Sequence, residues 1–512
     1  MKRIISVIIL ICVVFSVFAV IASCGENSGG NSSNNDGNNN NINNDNPNDD
    51  NNSSPDDNSQ DSAEDPFDPK LPGADYGGYD FRILNIDQDS MWWAITYIDV
   101  EAENTAEVVN DAIYRRNRNI EEKYNFNINE INMSRSALSS AVKKSVGAGT
   151  DDYDVAIPYT QDIPGIVQNN LLVDLHKVNN LDFSKPWWTN DVSHYFSIDN
   201  KILFAMSDFI LTDNDDVVIT MYNKKLAETL GIDGAETLYQ LVDEGKWTLD
   251  KFTELTKAAA FDTNGNGKVD PQEDRFGLVC VSWLYAAMLG GFNEFIVSKD
   301  SDDLPYLSCK SERFLTCYQA MAEYMSNREW VVREGDDNIG TGEAGRTETV
   351  FVNDRALMCV QVLSCCRLYK DMGSDFGILP MPKLDENQEK YCSYMCGSTC
   401  ITIPKTNTNL DRTGLILEAL SAESRRLVIP AYYEVALGAK YLRDEGSFKM
   451  LDIILDNRVY ELCDIYAWGG LSAAISNLAK KNDINLASVI EKNEDKTIAA
   501  IQKTVDAYNN VE

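Results

Sequence analysis

Between positions 262 and 273 the chain reads Asp-Thr-Asn-Gly-Asn-Gly-Lys-Val-Asp-Pro-Gln-Glu. Side-chain oxygens recur at Asp262, Asn264, Asn266 and Asp270, and Gly267 stands where such a loop must turn sharply. Lys268 offers its carbonyl, and Glu273 closes the window with a carboxylate able to take a cation on both oxygens. Hard oxygen donors at these spacings suit Ca2+, which gathers six or more of them. Helical spacing from Leu249 to Ala260 fits a helix leading into the loop, whereas DRFGLVCV at 274–281 reads as a strand. The expectation is therefore one structural calcium loop rather than a paired sensor, with a metal-free Asn/Gly turn as the alternative.

Aromatic side chains on loops that follow strands offer a second chemistry, because exposed rings flanked by amides stack on the faces of pyranose sugars. Trp92 and Trp93 come just after the first strand, Tyr159 and Gln161 at the end of the next, and Trp283 and Tyr285 after FGLVCV. Trp468 sits in the Gly-bearing stretch YAWGGL. Each of these has core packing as its alternative, the usual fate of a large ring. Core packing is expected outright for Trp187 and Trp188, which follow Pro186 at a helix start, and for Trp247 and Trp330.

Catalytic patterns are absent. The two histidines, His176 and His194, stand in no H-E-x-x-H, and neither a G-x-S-x-G nor a P-loop occurs. Gly340 to Gly345 spells G-x-G-x-x-G but follows the polar run REGDDNI instead of a strand, the wrong setting for a dinucleotide. The ten cysteines from Cys280 to Cys463 form no C-x-x-C pair; Cys392, Cys396 and Cys400 read as small buried residues of a strand-like stretch, and disulfides stay open. A glycosidase needs only two placed carboxylates, which 80 acidic residues could conceal, so a surface glycoside hydrolase stays open, as does a carbohydrate-binding adhesin.

The elements that must position these residues alternate between strand and helix, the pattern of an α/β protein. YDFRILNI (79–86) is a strand, 104–125 has helical spacing, DYDVAIPY (152–159) reads as a strand and 162–175 as a helix and turn. The body from about residue 75 onward is longer than one core serves, so two lobes are expected.

Ahead of that body, Lys2 and Arg3 precede an apolar run from Ile4 to Val20 that closes in Ile21-Ala22-Ser23-Cys24. This resembles the export signal of bacterial lipoproteins, with residues 1–23 removed and the Cys24 thiol carrying lipid; an uncleaved membrane span is the alternative. Residues 24–74 are dominated by Asn, Asp, Ser and Gly and cannot bury enough surface to repay ordering, so they read as a disordered tether. Removing the leader lowers Lys+Arg from 45 to 43 against 80 Asp+Glu, a net charge of −37, which argues against nucleic acid and anionic lipid as partners.

One order of phrases carries a family resemblance: YDVAIPYT, a helix ending in NNLLVDL, ITMYNKKLAETLGI (219–232), GKWTLDKFTELTKAAA (245–260), FVNDRALMCVQV (351–362), FGILPMPK (376–383) and GSTCITIPKTN (397–407). Together they resemble the family 1 extracellular solute-binding proteins, the maltose-binding type of ABC importer receptor, in versions common among lipoproteins of anaerobic Gram-positive bacteria. The resemblance implies an α/β, two-lobe, periplasmic-binding-protein-like (type II) fold with a hinged cleft. Lobe one would take 76–212 and 392–434, and lobe two 213–391 and 435–512. It further implies a monomer without catalytic activity, lipid-anchored on the extracellular face of the cytoplasmic membrane. Such a receptor would take a solute, above all a sugar or oligosaccharide, and deliver it to ABC permease subunits. Trp92, Trp93, Tyr159, Gln161, Trp283, Tyr285 and Trp468 are then the expected cleft contacts.

Overall fold

The structure is a computed structural model that describes residues 65–511 apart from 92–93, 101–106, 190, 233, 268–269, 335–346, 370–371 and 439–444. The leader, Cys24 and almost all of the tether lie outside the described residues.

Two sheets organise the chain. In the first, β1 (Tyr79–Ile86) is central, parallel to β2 (Phe126–Met133) on one side and to the short β3 (Val155–Ala156) on the other. The second draws on β4 (Val218–Asn223), β5 (Phe276–Cys280), β8 (Val331–Arg333), β9 (Ala356–Val362) and β10 (Phe376–Leu379), in the order β10-β4-β9-β5-β8. There β5 is parallel to β8 and β9, while β4 is antiparallel to β9 and β10. All five strands are fully buried or nearly so, consistent with apolar runs covered on both faces by helices. A hairpin of β6 (Val297–Lys299) and β7 (Pro305–Leu307) stands apart.

The chain joins these sheets by segments that lie side by side. Val217 bridges Met395, and β11 (Ser393–Tyr394) pairs in parallel with β12 (Arg458–Val459). Beyond β11 the chain returns to the first sheet through isolated antiparallel bridges, Thr399 to Tyr159, Ile401 to Ala205, Thr402 to Ala156 and Pro404 to Leu172. The fold is thus mixed α/β with two lobes. At the C-terminus the helices Leu462–Tyr466 and Leu486–Asn509 touch Ile163–Val167 beside the first sheet, and they also touch the β6–β7 hairpin and the helix Glu312–Met325. The reason lies in the last helix, which buries Ile490, Ile501, Val505 and Tyr508 and so needs apolar surface along its whole length.

Local expectations survive where periodicity is strong. The first strand spans Tyr79–Ile86, and the first described helix, Val108–Tyr124, buries Ala112, Ile113, Ile120 and Tyr124 and ends on Asn125 in the left-handed region. They fail where pairing is long-range. DYDVAIPY yields only two strand residues, because its outer neighbour is the bridged return segment instead of a continuous strand. No helix starts at Trp187; the next is Val192–Phe196.

Candidate functional site

A cavity of about 950 Å3 lies between the two sheets. Its walls are built from segments that leave the carboxyl ends of strands, the place where open α/β sheets hold ligands. Tyr159 and Gln161 follow β3, Val281, Trp283 and Tyr285 follow β5, Glu334 follows β8, and Ser364, Cys365, Arg367 and Leu368 follow β9. Ile95, Tyr97 and Arg135 add to the wall beside the first sheet. The floor comes from the connecting segments and the C-terminal region, as Asp216, Tyr394, Cys396 and Asp464.

Trp283 is the residue before the helix Leu284–Gly291, partly buried, with its ring against the cavity. Tyr285, one residue inside that helix, is mostly buried, and burial with the nearby Asp464 charge pushes its hydroxyl up to about 12. Tyr159 is 5% exposed, and one face of its ring already carries the Arg135 guanidinium, 4.6 Å from the ring centre. Its hydroxyl packs so closely on Gly397 that any side chain there would collide with it. Tyr159 is therefore a fixed wall with one face taken, while Leu368, 66% exposed, supplies apolar surface at the cavity's edge.

The charges divide unevenly. Arg135 pairs with Asp162 through Nε at 2.8 Å and Nη2 at 3.2 Å, and Arg367 pairs with Asp215 through two bonds of 2.8 and 3.0 Å. Both acidic partners lie outside the cavity lining, so each guanidinium reaches the cavity already neutralised. Asp216 is 2% exposed and its Oδ2 has no hydrogen-bond partner. Burial, reinforced by the Asp215 charge, holds its carboxyl well above the usual carboxylate range, against the opposing pull of Arg367. Asp464 accepts hydrogen bonds from Tyr394 Oη and Ser472 Oγ, and its carboxyl too is raised by burial.

Of the residues expected at the cleft, Tyr159, Gln161, Trp283 and Tyr285 share this cavity, and Trp92 and Trp93 lie outside the described residues. Trp468 is a correction. It is 1% exposed, donates Nε1–H to Thr504 Oγ1 at 2.8 Å and stacks on Tyr466 at 4.8 Å, so it belongs to the core beneath the last helix. Sequence reasoning missed Tyr97, Arg135, Asp216, Glu334, Arg367 and Asp464. A legible signal existed for one of them: the run Thr212-Asp-Asn-Asp-Asp216 stands directly before an apolar strand, an unusual place for three acids.

In the 262–273 loop, Asp262 accepts the backbone N–H groups of Gly265 and Gly267, each at 2.8 Å, and both glycines adopt positive φ. Asn264 donates to Glu273 across the loop, bringing the second expected donor and the closing carboxylate together. Asp274, 1% exposed, accepts from Thr263 and Asp270 and ties the loop's ends. Lys268 lies outside the described residues, and among those described no cluster of three or more His, Cys, Asp or Glu side chains is arranged as a metal site. The donor set is all oxygen and fits a hard cation. Among the described residues the ten cysteines form no disulfide, and nine of them are buried.

The sequence profile of the bacterial extracellular solute-binding proteins matches residues 118–425. Among curated protein sequences none matches the chain. Solved structures do. The sugar-binding protein MalE from Xanthomonas citri superposes with a TM-score of 0.55 at 12% identity, covering 84% of this chain and 99% of that one. The cyclic alpha-maltosyl-1,6-maltose binding protein from Arthrobacter globiformis gives 0.54 at 12% identity, over 83% and 100%. An ABC substrate-binding protein from Listeria monocytogenes in complex with cycloalternan gives 0.51 at 11% identity, over 83% and 99%.

Proposed function

The chain belongs to the bacterial extracellular solute-binding proteins, and we propose that it captures a sugar or oligosaccharide between its lobes and hands it to the permease subunits of an ABC importer. The observation that carries this reading is the cavity itself. Rings and hydrogen-bonding groups from both sheets face one space large enough for a saccharide of a few residues. Similar structures bind maltosyl and cycloalternan ligands, which supports the carbohydrate class.

On this reading Trp283 is the main stacking platform, Tyr97 offers a ring from the opposite wall, and Gln161 and Gln361 bond hydroxyls. A ligand touching both lobes favours the closed arrangement and so reports its own presence to a membrane partner. The protein binds without turnover, as a monomer, tethered outside the cell through lipid on Cys24. A calcium ion held by Asp262, Asn264, Asn266, the Lys268 carbonyl, Asp270 and Glu273 staples the loop after the helix Leu249–Ala259.

A thermal-shift screen of the mature chain against mono-, di- and oligosaccharides tests the reading. A cognate sugar at about one hundred times its Kd adds about 2.7 kcal/mol of stability and raises Tm measurably. Silence across the whole panel, or release of products from any glycan, overturns it. For the anchor, Cys24→Ala is expected to move the protein from the detergent phase to the aqueous phase; unchanged partitioning would mean an uncleaved span instead.

A further inference from the structure

Two basic side chains are among the described residues lining the cavity, and both are spoken for. Arg135 is held by Asp162 and Arg367 by Asp215. Lining the same space are three acids: Asp216 on the connecting segment, Asp464 from the C-terminal region and Glu334, exposed, at the edge of the second sheet. Asp464 has acceptor bonds from Tyr394 and Ser472, so its needs are met within the protein. Asp216 is different. It lines the cavity with only 2% of its surface exposed, and its buried Oδ2 lacks any hydrogen-bond partner. A buried carboxyl oxygen in that state costs free energy that a ligand donor would recover.

We propose that the cleft selects an amine-bearing saccharide, with Asp216 as the specificity-determining residue that receives the ligand's ammonium group. This rests on the receptor reading above and narrows its ligand class. Both arginines of the described lining are compensated, so an incoming ammonium group meets no free positive charge there, and Glu334 adds an exposed acid at the edge. The walls agree, since the open rings of Trp283 and Tyr97 attract a positive charge to their faces. Tyr159 cannot serve in this way, because Arg135 already covers it.

The groups that set the Asp216 proton are Asp215 and Asp213 on its own segment, Arg367 after β9, Tyr159 after β3 and Cys396 on the return segment. Burial and its acidic neighbours favour the protonated form when the cleft is empty, and an ammonium group favours the ionised form. Binding of an amine then requires loss of that proton, so it weakens as pH falls, whereas binding of a neutral sugar does not.

The test is a titration series in which only one substituent changes. The probes are cellotriose, the amine-bearing chitosan trimer and its N-acetylated form, together with the pairs glucose and glucosamine, galactose and galactosamine, and mannose and mannosamine. At pH 7 at least one amine member is expected to bind tenfold or more tightly than its hydroxyl partner, and the preference should narrow at pH 5. Asp216→Asn should abolish the preference, and Glu334→Gln, at an exposed position where folding is not at stake, should reduce it. Equal or tighter binding of the hydroxyl member in every pair overturns the amine proposal and leaves the receptor reading intact. The same holds if no amine binds while other sugars do. The receptor reading falls only if the wider solute panel is silent as well.

Discussion

Arg367 meets Asp215 in a two-point ion pair, Nη1 to Oδ1 at 2.8 Å and Nη2 to Oδ2 at 3.0 Å, which spans 152 positions of sequence. Tyr432 Oη adds a third bond to Asp215 Oδ1 at 2.7 Å. The pair fixes the segment after β9 onto the connecting segment before β4, and it decides which of two adjacent acids keeps a counter-ion. Asp215 has one; Asp216 does not.

Arg367→Gln is expected to destabilise the fold by about 1–3 kcal/mol, because it leaves the buried Asp215 carboxylate with Tyr432 alone. Urea melts of Arg367→Gln, Asp215→Asn and the double variant supply the coupling energy. Additive single effects would mean that the pair contributes nothing beyond its two side chains.

Trp283 and Trp468 should separate affinity from stability. Trp468→Ala removes a fully buried ring and its bond to Thr504, so a loss of about 3–5 kcal/mol in stability with unchanged Kd is expected. Trp283→Ala should weaken the cognate sugar about tenfold or more with a much smaller stability loss. Calorimetric titration and melting of both variants check this; the reverse pattern would move Trp283 into the core.

Chelation of calcium should lower Tm in wild type, and Glu273→Gln should lose that response. Asp274→Asn serves as a control, since Asp274 ties the loop by accepting from Thr263 and Asp270, and its loss should lower Tm with or without the ion. Identical melting of metal-free and calcium-loaded protein would eliminate the ion from the loop.

Stability should rise as pH falls from 8 to 5.5. Burial pushes Asp208 up to about 8 and Glu418 up to about 7, and Glu461 is likewise raised by burial beside Asp464. A carboxyl whose folded value is raised stabilises the fold while protonated, fully so below its unfolded value. That contribution disappears as pH climbs through the folded value. For Glu418 the window runs from the ordinary glutamate value of 4.5 to about 7, equivalent to about 3 kcal/mol. Falling net negative charge acts in the same direction. Melting curves across the range check the slope, and Asp208→Asn should flatten its upper part; a Tm that climbs toward pH 8 would contradict the assignment.

Much of this architecture was legible in the letters alone. The strand Tyr79–Ile86 and the helix Val108–Tyr124 follow from side-chain period and a left-handed end residue, which depend on neighbours a few positions away. The oxygen spacing of the 262–273 loop is local in the same sense, and so is the polar composition of residues 24–74. The order of phrases over the body was enough for the family. What only the tertiary structure decided is which side chains meet. Trp283 and Trp468 both stand beside Gly-bearing or loop-like stretches, yet one borders the cavity and the other lies under the last helix, because burial is set by elements far away in sequence. Trp187 and Trp188 donate to the two oxygens of Glu418, at 3.0 and 2.9 Å, a pairing across some 230 residues that no local pattern announces. The same holds for Asp215 and Asp216, identical in type and adjacent in chain: a guanidinium 152 positions away from one of them makes it structural and leaves the other facing the ligand space.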